Sequence, residues 1–344
     1  MNNHKSKNEE RRCTEPISFP CSANFCAGAF PDWLEVNLLK HCNAKCEWCI
    51  EKNGFHPEFN APWHVIADKA ISFGAENVIL LGGEPTLYIK LPDIIARLNE
   101  AGRKVWLTTN GSKLTKCFAE SKLHGVYGVN ISVHHYCMQK NRVITGLDIK
   151  VSELAPAIDY LIDNGVKVRL NCNCISGMID TEKEIERYIK FARLLGVNSV
   201  RFAELKHADE SFVNIPEVMG FKYGLTNAPF TDGCSKNTVI DGVDINFRTM
   251  CGLQTDTRVK PINSVQVQKH VLYYDGKIYD GWQTNKEEIT VNDAELLKLM
   301  DDVAKGKIPP AEAAVKIARE GMGKKKVKIV KVKKPKPVSV GCHY

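Results

Sequence analysis

The sequence predicts an α/β protein whose core is a parallel sheet, either open or curved into a full or partial barrel. Short apolar runs rich in β-forming residues recur between residues 32 and 205, separated by helical patterns and polar connections. This alternation is typical of βαβ units with right-handed crossovers. Cysteine, glycine, asparagine and histidine motifs directly follow four of these runs, at the edge where parallel sheets place their chemistry.

The predicted elements follow one another in a regular order. The strand candidates are WLEVNLL (33–39), NVILL (77–81), KVWLTT (104–109), GVNISV (128–133), VKVRLNC (166–172) and SVRFAEL (199–205). The helical patterns between them are WHVIADKAISFG (63–74), LPDIIARLNEAG (91–102), VSELAPAIDYLIDNG (151–165) and TEKEIERYIKFARLLG (181–196). Several of these patterns end in glycine, and Thr181 with Glu184 has the spacing of a capping box.

The composition is that of an ordinary globular protein, with 44% hydrophobic and 25% charged residues in a chain of 344. The N-terminal stretch MNNHKSKNEERR is polar, and no run approaches the ~18 apolar residues that a membrane span requires. We therefore expect a cytoplasmic protein with no membrane partner. In such a reducing compartment, thirteen cysteines favour metal binding or redox chemistry over stable disulfides.

Four segments are predicted along the chain. They are an irregular arm (1–31), the α/β region (32–205), a C-terminal extension (206–320) and a lysine-rich tail (321–344). The extension contains VLYYDGKIYDGW (271–282), in which Asp-Gly between β-prone flanks is a strong hairpin signal. Two short helices, AELLKLMDDVAKG and PPAEAAVKIAREG, are expected before the tail.

Three closely spaced cysteines follow the first strand in the stretch HCNAKCEWCI. Cys42, Cys46 and Cys49 have a C-x3-C-x2-C spacing. A structural zinc site requires four ligands, and His41 adjoins Cys42 so closely that it would have to fold back to serve as the fourth. A [4Fe–4S] cluster held by only three thiolates leaves one iron open to another ligand, and Trp48 could shield one face of such a cluster from water.

The cysteine triplet and a second motif together resemble the radical S-adenosylmethionine (radical SAM) enzymes. The triplet has an aromatic residue before its third cysteine, and LLGGEPTL (80–87) carries a Gly-Gly-Glu-Pro element after the second strand. The resemblance covers roughly residues 32–205 and implies a partial (β/α)6 TIM-like barrel with a small β-containing C-terminal extension. It also implies a [4Fe–4S] cluster on the three cysteines, S-adenosylmethionine (SAM) on the open iron, and a reductant such as flavodoxin or ferredoxin.

The resemblance further implies the reaction. In the family, reductive cleavage of SAM yields methionine and a 5′-deoxyadenosyl radical, which abstracts hydrogen from a substrate. A hairpin-rich extension often accompanies peptide or protein modification in this family, so a peptide or protein substrate is weakly favoured. A nucleotide, a nucleic acid or a small metabolite stays open as the substrate, and so does the question of whether SAM is consumed or regenerated.

The Gly-Gly-Glu-Pro element is expected to contact the cofactor. Gly82 and Gly83 would let the backbone pass close to SAM, Glu84 would accept from its methionine ammonium group, and Pro85 would fix the exit of the turn. Taken without its context, the same tetrapeptide is more often an ordinary turn.

Polar residues near the ends of strands 4 and 5 are further candidates. In the family, the end of strand 4 often touches the ribose and carboxylate of SAM, which makes Ser132 a candidate ligand. His134 and His135 are weaker candidates for binding substrate or transferring a proton, because a histidine at a strand end is commonly part of a structural hydrogen bond. Asn171 would suit the ribose or methionine of SAM if its side of strand 5 faces inward.

Strand 5 divides its polar residues between two sides, and the sequence does not tell which side faces inward. Arg169, Asn171 and Asn173 share one side, whereas Cys172 and Cys174 share the other with apolar residues. The two cysteines are expected in the core. The remaining open assignments are Asn110, as a turn cap or a pocket residue, and Arg201 with Glu204, as substrate or adenine contacts or as salt-bridged surface.

A second, auxiliary cluster is possible but not favoured. Cys234 and Cys251 bracket CSKNTVIDGVDINFRTMC, which is similar to the SPASM and twitch domains that hold auxiliary clusters in the family. Further cysteines are missing from residues 252–341. A cluster would therefore have to recruit cysteines from elsewhere, namely Cys13, Cys21, Cys26, Cys137 or Cys342.

The lysine-rich tail accounts for the positive charge of the chain. The formal net charge is +7, and GMGKKKVKIVKVKKPKPV (321–338) carries eight lysines, so the remaining body is nearly neutral. The tail is either a solvated segment or a contact for nucleic acid or another anionic partner. A non-catalytic module that binds zinc through the cysteines and nucleic acid through the tail is the alternative from a different functional class.

Overall fold

The computed structural model of the chain describes residues 33–52, 56–205, 210–219, 235–248 and 270–280, together with residue 307. The chain divides into two compact units, Met1–Trp282 and Gln283–Tyr344. All the helices and strands that follow lie in the first unit. The predicted arm, the two predicted helices after residue 290 and the lysine-rich tail lie outside the described residues, as do Cys234 and Cys251.

The described residues form ten strands, seven α-helices and one short 3-10 turn. The strands are β1 Trp33–Asn37, β2 Asn77–Leu81, β3 Lys104–Thr109, β4 Gly128–Ser132, β5 Lys167–Asn173, β6 Ser199–Ala203, β7 Ser235–Ile240, β8 Val243–Arg248, β9 His270–Leu272 and β10 Ile278–Asp280. The α-helices are α1 Trp63–Phe73, α2 Leu91–Glu100, α3 Lys116–Lys122, α4 Met138–Thr145, α5 Val151–Asp163, α6 Glu182–Leu194 and α7 Ile215–Met219, and the 3-10 turn is Pro85–Leu87.

The strands form one mostly parallel sheet in the order β10-β9-β1-β2-β3-β4-β5-β6-β8-β7. The strands β1 to β6 are neighbours in chain order, and each adjacent pair is parallel. The predicted βαβ alternation is therefore confirmed. The sheet is consistent with a partial TIM-like barrel, and its C-terminal strand edge carries the cysteine, Gly-Gly-Glu-Pro and Asn110 motifs.

Alternation along the strands gives the sheet two different faces. On β5, Val168, Leu170 and Cys172 are buried in the hydrophobic core that the sheet forms with the helices. The side chains between them, Arg169 and Asn171, point to the opposite face, because successive residues of a strand alternate. We call this opposite face the inner face. Cys172 and Cys174 are thus core residues, as predicted.

The N-terminus of α6 confirms half of the predicted capping box. Thr181 is the N-cap, and its Oγ1 accepts from the backbone N–H of Glu184 at 3.3 Å. The Glu184 carboxylate does not complete the box in the expected way, because it accepts from Tyr136 Oη at 2.6 Å and from Arg187 Nη1 at 2.7 Å. The bond from Tyr136 ties α6 to the segment that follows β4, whereas Arg187 lies on α6 itself.

Two hairpins extend the sheet at its two edges. The strands β7 and β8 are antiparallel and join through Asp241 and Gly242, which have φ values of 50° and 77°, as a tight turn of this kind requires. The strands β9 and β10 form the predicted hairpin around Asp275 and Gly276. Since β8 pairs with β6 and β9 pairs with β1, both hairpins continue the barrel sheet.

Among the described residues, no helix is both long enough and apolar enough to span a membrane.

Candidate active site

The three cysteines lie in the connection that leaves β1 at the C-terminal edge of the sheet. Cys42, Cys46 and Cys49 are free thiols and half-buried. The loop is held by backbone hydrogen bonds, from Cys49 N to Cys46 O at 3.3 Å and from Lys45 N to Thr145 O at 2.7 Å. The second bond attaches the loop to the last residue of α4.

The surroundings of the thiols disfavour bare thiolates. Burial, together with the neighbouring cysteines Cys49 and Cys42, raises the pKa of Cys46 to about 12. Burial also raises the pKa of Cys42 and of Cys49. Thiolates in such a place need positive charge beside them, which bound metal supplies.

A single metal ion and an iron–sulfur cluster place different demands on their protein ligands. Among the described residues, no three histidine, cysteine, aspartate or glutamate side chains are grouped so that they could hold one metal ion. A zinc site needs all its ligand atoms about 2 Å from one point. The thiolates of an iron–sulfur cluster bind different irons and need no such convergence.

Two glycines bring the Gly-Gly-Glu-Pro turn against the start of the cysteine loop. A Cβ on Gly83 would overlap the carbonyl of His41, and a Cβ on Gly82 would lie 2.7 Å from the carbonyl oxygen of Leu39. Gly83 N donates to Leu39 O at 2.7 Å, and Glu84 N donates to His41 O at 2.9 Å. The glycines are thus required for close packing of two backbones, a reason that the sequence did not reveal.

The buried Glu84 carboxylate joins the turn to the end of β3. Its Oε1 accepts from Thr86 N at 3.0 Å and from the hydroxyls of Thr86 and Thr109 at 2.6 Å each. Its Oε2 accepts from Asn110 N at 2.7 Å. Four protein donors therefore converge on the residue that we expected to accept from SAM.

Asn110 completes the link between the turn and the cysteines. Its Nδ2 donates to Asn43 Oδ1 at 2.8 Å and lies 3.9 Å from Cys42 Sγ, while its Oδ1 accepts from Ser112 N at 2.9 Å. Asn43 Nδ2 in turn donates to Ser112 Oγ at 2.9 Å. The sequence left the role of Asn110 open and did not single out Asn43, although both lie in polar loops, after β3 and β1 respectively.

Replacing Glu84 with glutamine should destabilise the protein, because an amide NH2 would face donors in place of an acceptor. We expect a loss of about 2–4 kcal/mol in the free energy of unfolding, measured by urea denaturation. Glu120→Gln is the matched control, since Glu120 is exposed and forms a surface ion pair with Lys116. Equal stabilities for the two variants would contradict the structural role of Glu84.

Ser132 and Asn171 lie side by side on the inner face. They are paired in register at the C-terminal ends of β4 and β5. Both side chains are half-buried. The structure thus decides the orientation that the sequence left open, and it brings these two candidate cofactor ligands together.

The two histidines after β4 occupy different environments. The ring of His134 packs edge-on against Trp48 at 5.6 Å between centroids, and its Nδ1 accepts from Asn173 N at 3.2 Å. His135 is fully buried, and its Nδ1 accepts from Cys137 N at 2.9 Å. His134 therefore adjoins the cysteine loop, whereas His135 Nε2 lies 3.9 Å from Glu184 Oε2 on α6.

Both histidines should make the protein less stable in acid. Burial lowers the pKa of each to about 4, and protonation at Nδ1 would remove an acceptor. Between pH 6.5 and 4 the unfolded chain binds protons that the folded chain does not, so stability falls as the pH falls through this window. We expect a loss of up to about 3 kcal/mol per histidine at pH 4 relative to pH 7.

Urea denaturation between pH 7 and pH 4 tests this expectation. His135→Gln should flatten the pH dependence, because glutamine keeps an acceptor but does not titrate. His124→Gln is the control, since His124 is exposed and its replacement should leave the slope unchanged. A His135→Gln slope equal to that of the unmodified protein would refute the assignment.

The two remaining candidates, Arg201 and Glu204, lie in different environments. Arg201 lies on the inner face of β6, in register between Asn171 and Asn246. Glu204 is buried beyond the end of β6, where its Oε1 accepts from Ile215 N at 3.0 Å. Arg201 can therefore contribute to a site on the inner face, whereas Glu204 anchors α7.

Comparison with known proteins relates part of the chain to a known family. Residues 36–192 match the family model of the Radical SAM superfamily. The chain is 29% identical to "GTP 3′,8-cyclase" of Haemophilus influenzae (strain PittEE) over 189 residues, which are 52% of this chain and 54% of that protein. It is 31% identical to "Probable GTP 3′,8-cyclase" of Saccharolobus islandicus (strain M.14.25 / Kamchatka #1) over 176 residues, 50% of this chain and 56% of that protein.

The chain thus spans about half the length of the curated relatives it matches. Among solved structures, it resembles Streptococcus suis SuiB bound to S-adenosylmethionine, with a TM-score of 0.53, 17% identity, and coverage of 76% of this chain and 65% of that one. SuiB bound to precursor peptide SuiA gives a TM-score of 0.54 at 16% identity, with coverage of 76% and 64%. At these identities the likeness concerns the fold.

Proposed function

Since the chain belongs to the radical SAM superfamily, we propose that it is an enzyme that cleaves SAM reductively and uses the resulting 5′-deoxyadenosyl radical to remove hydrogen from a substrate. The observation that carries this proposal is the loop of three free cysteines held against the Gly-Gly-Glu-Pro turn. Members of the superfamily use a [4Fe–4S] cluster and SAM, and the residues at this edge of the sheet fit both.

The protein's part in the chemistry is to hold and shield the reacting groups. Cys42, Cys46 and Cys49 would ligate three irons of the cluster, which supplies an electron and an open iron for SAM. Glu84 and Asn110 fix the loop through their hydrogen bonds, which preorganises the thiols. These hydrogen bonds give the motif a structural role in addition to any contact with SAM.

The neighbouring inner face would bind SAM. Ser132 and Asn171 offer a hydroxyl and an amide beside each other, which suits the ribose hydroxyls or the amino-acid end of SAM. Trp48 and His134 form an adjoining wall that would exclude water from this end of the site. His134 stays neutral near pH 7, because burial lowers its pKa to about 4.

For the substrate, we propose a nucleotide. Support comes from the relatives of this chain that are named GTP 3′,8-cyclases, which match it over 189 and 176 residues. The peptide or protein substrate that the sequence weakly favoured is not confirmed. Its support is the hairpin-rich extension and the likeness to SuiB, and that likeness concerns the fold.

Anaerobic turnover tests the proposal. Reconstituted protein with SAM and dithionite, which replaces a reductant such as flavodoxin or ferredoxin, should be brown and should form 5′-deoxyadenosine. GTP should accelerate the formation of 5′-deoxyadenosine, and deuterium from labelled GTP should appear in the 5′-deoxyadenosine. A colourless protein with stoichiometric zinc would refute the radical reaction, whereas acceleration by peptides alone would refute the nucleotide.

A further inference from the structure

One lysine folds back over the cysteine loop. Lys52 N donates to Cys49 O at 3.1 Å, and Lys52 Nζ donates to Lys45 O at 2.9 Å. The backbone bond fixes the start of the side chain just after the third cysteine. The side-chain bond brings the ammonium group back to the residue that precedes the second cysteine. The Lys52 ammonium group is therefore held at the loop, although the residue is exposed.

The acceptor of this side-chain bond is itself fixed. Lys45 N donates to Thr145 O at 2.7 Å, at the end of α4. The stem of Lys45 packs on the same end, because a Cβ on Gly146 would lie 3.2 Å from Lys45 Cβ and 3.3 Å from its Cγ and Cδ. The fold thus offers the Lys52 ammonium group an acceptor in a fixed place, which limits the freedom that an exposed lysine otherwise has.

The positive charge of Lys52 acts on two of the three thiols. Burial raises the pKa of Cys46 and of Cys49, and Lys52 acts in the opposite direction on both. On Cys49, the backbone N–H of Lys52 acts together with the ammonium group, against the neighbouring Glu51 carboxylate. A cation and an N–H donor favour the thiolate form of a cysteine. The Lys52 ammonium group therefore lies within electrostatic reach of Cys46 and Cys49.

The first thiol of the loop has different surroundings. Burial raises the pKa of Cys42, and the Glu84 carboxylate adds to this effect. The backbone N–H of Ala44, which donates to Cys42 Sγ at 3.4 Å, acts against it. The loop thus has a cation beside its second and third thiols and a buried carboxylate nearer to its first.

Charge beside a cluster affects how readily the cluster is reduced. A [4Fe–4S] cluster gains one negative charge when it takes up an electron, so a nearby cation stabilises the reduced form more than the oxidised form. N–H groups that point at the sulfur ligands act in the same direction. Because Lys52 is exposed, water and salt screen its charge, and we expect a moderate effect.

We propose that the Lys52 ammonium group raises the reduction potential of a [4Fe–4S] cluster held by Cys42, Cys46 and Cys49. The inference rests on the proposed function, because it requires the cluster, and it deepens that function by assigning a residue to the control of electron uptake. The step concerned is the transfer of one electron to the oxidised cluster from a reductant such as flavodoxin or ferredoxin. Lys52 is a positioning residue, since it acts through the loop and its charge.

A redox titration of the reconstituted, anaerobic protein tests the inference without turnover. The midpoint potential is followed by electron paramagnetic resonance. Lys52→Gln keeps a donor but removes the charge, so the equilibrium constant for reduction should fall at least ~3-fold, which is roughly 28 mV for a one-electron couple. Lys52→Glu reverses the charge and should lower the constant about 9-fold. Lys52→Arg keeps the charge and should stay within about 1.5-fold of the unmodified protein.

Lys122→Gln is the matched control. Lys122 is exposed in the last turn of α3, from which the chain returns to the N-terminal end of β4, at the sheet edge opposite to the cysteine loop. The same loss of charge there should leave the potential unchanged. Salt is a second control, because the Debye length falls to ~3 Å at ~1 M salt and the differences among the Lys52 variants should then shrink.

Three results would overturn the inference. One is an unchanged potential in both Lys52→Gln and Lys52→Glu at equal iron content. Another is a shift in Lys52→Arg as large as that in Lys52→Gln, which would mean that the charge is not what matters. The third is an equal loss of iron in all three variants, since Lys52 would then hold the loop by the shape of its side chain.

Failure of the inference can be told apart from failure of the proposed function. The formation of 5′-deoxyadenosine is measured in the same preparations and tests the radical reaction. A brown protein that cleaves SAM but has the same potential in every Lys52 variant refutes only the role of Lys52. A colourless protein with stoichiometric zinc refutes the proposed function itself.

Discussion

Replacing Cys46 with alanine is expected to remove the cluster and to lower 5′-deoxyadenosine formation at least ~100-fold. In the proposed site each of the three thiols would hold a different iron, so the loss of one would leave the cluster without one of its protein ligands. Iron and sulfide content, the absorbance near 400 nm and 5′-deoxyadenosine are the three measurements. All three should fall together in reconstituted, anaerobic protein.

Cys117→Ala is the matched control, because Cys117 is a free but exposed cysteine on α3. It should keep the iron content and the activity of the unmodified protein. A Cys46→Ala protein that retains its full iron content would show that the cluster is ligated elsewhere. A control that loses iron as strongly would show that the measurement does not report on the loop.

Replacing Gly83 with alanine is expected to cost at least ~2 kcal/mol of stability and to lower iron content as well. The added methyl group would overlap the carbonyl of His41 and would lie 2.6 Å from the carbonyl oxygen of Lys40. Both neighbours are backbone atoms at the entrance of the cysteine loop, which cannot rotate away as a side chain can. Urea denaturation and iron analysis measure the two effects.

Gly102→Ala separates crowding from backbone strain. Gly102 has a φ of 71° and nothing within 4 Å of its added Cβ, so alanine there meets only the strain of the left-handed region, about 1 kcal/mol. Its iron content should be unchanged. If Gly83→Ala proves no more harmful than Gly102→Ala, the close packing of the turn on the loop is not what the glycine provides.

The local pattern of the sequence was sufficient for the strands of the barrel, since NVILL and KVWLTT correspond to β2 and β3 residue for residue. It was also sufficient for the hairpin at Asp275 and Gly276. It did not reveal that the hairpin strands would extend the barrel sheet. Such pairings join residues far apart in the chain, and local propensity carries no information about them.

The candidate ligands of the site could be predicted from the sequence, but the residues that hold them in place by hydrogen bonds could not. The spacing of the cysteines and the glycines is local, so the motif could be read directly. The donors to Glu84 come from Thr109 and Asn110, at the end of another strand, and only the fold brings them there. The orientation of Arg169 and Asn171 was undecidable for a related reason, because alternation separates two faces but does not say which one the helices cover.

The two hairpins also bear on how the barrel is protected and assembled. If the chain were cut after residue 205, β1 and β6 would become open edges with unpaired backbone groups, which invite pairing with other chains. In the intact protein, β9 covers β1 although more than two hundred residues separate them in sequence. We therefore expect β9 to pair with β1 late in folding, because this pairing joins residues far apart in the chain. A chain cut after residue 205 should aggregate even under conditions in which it still binds iron.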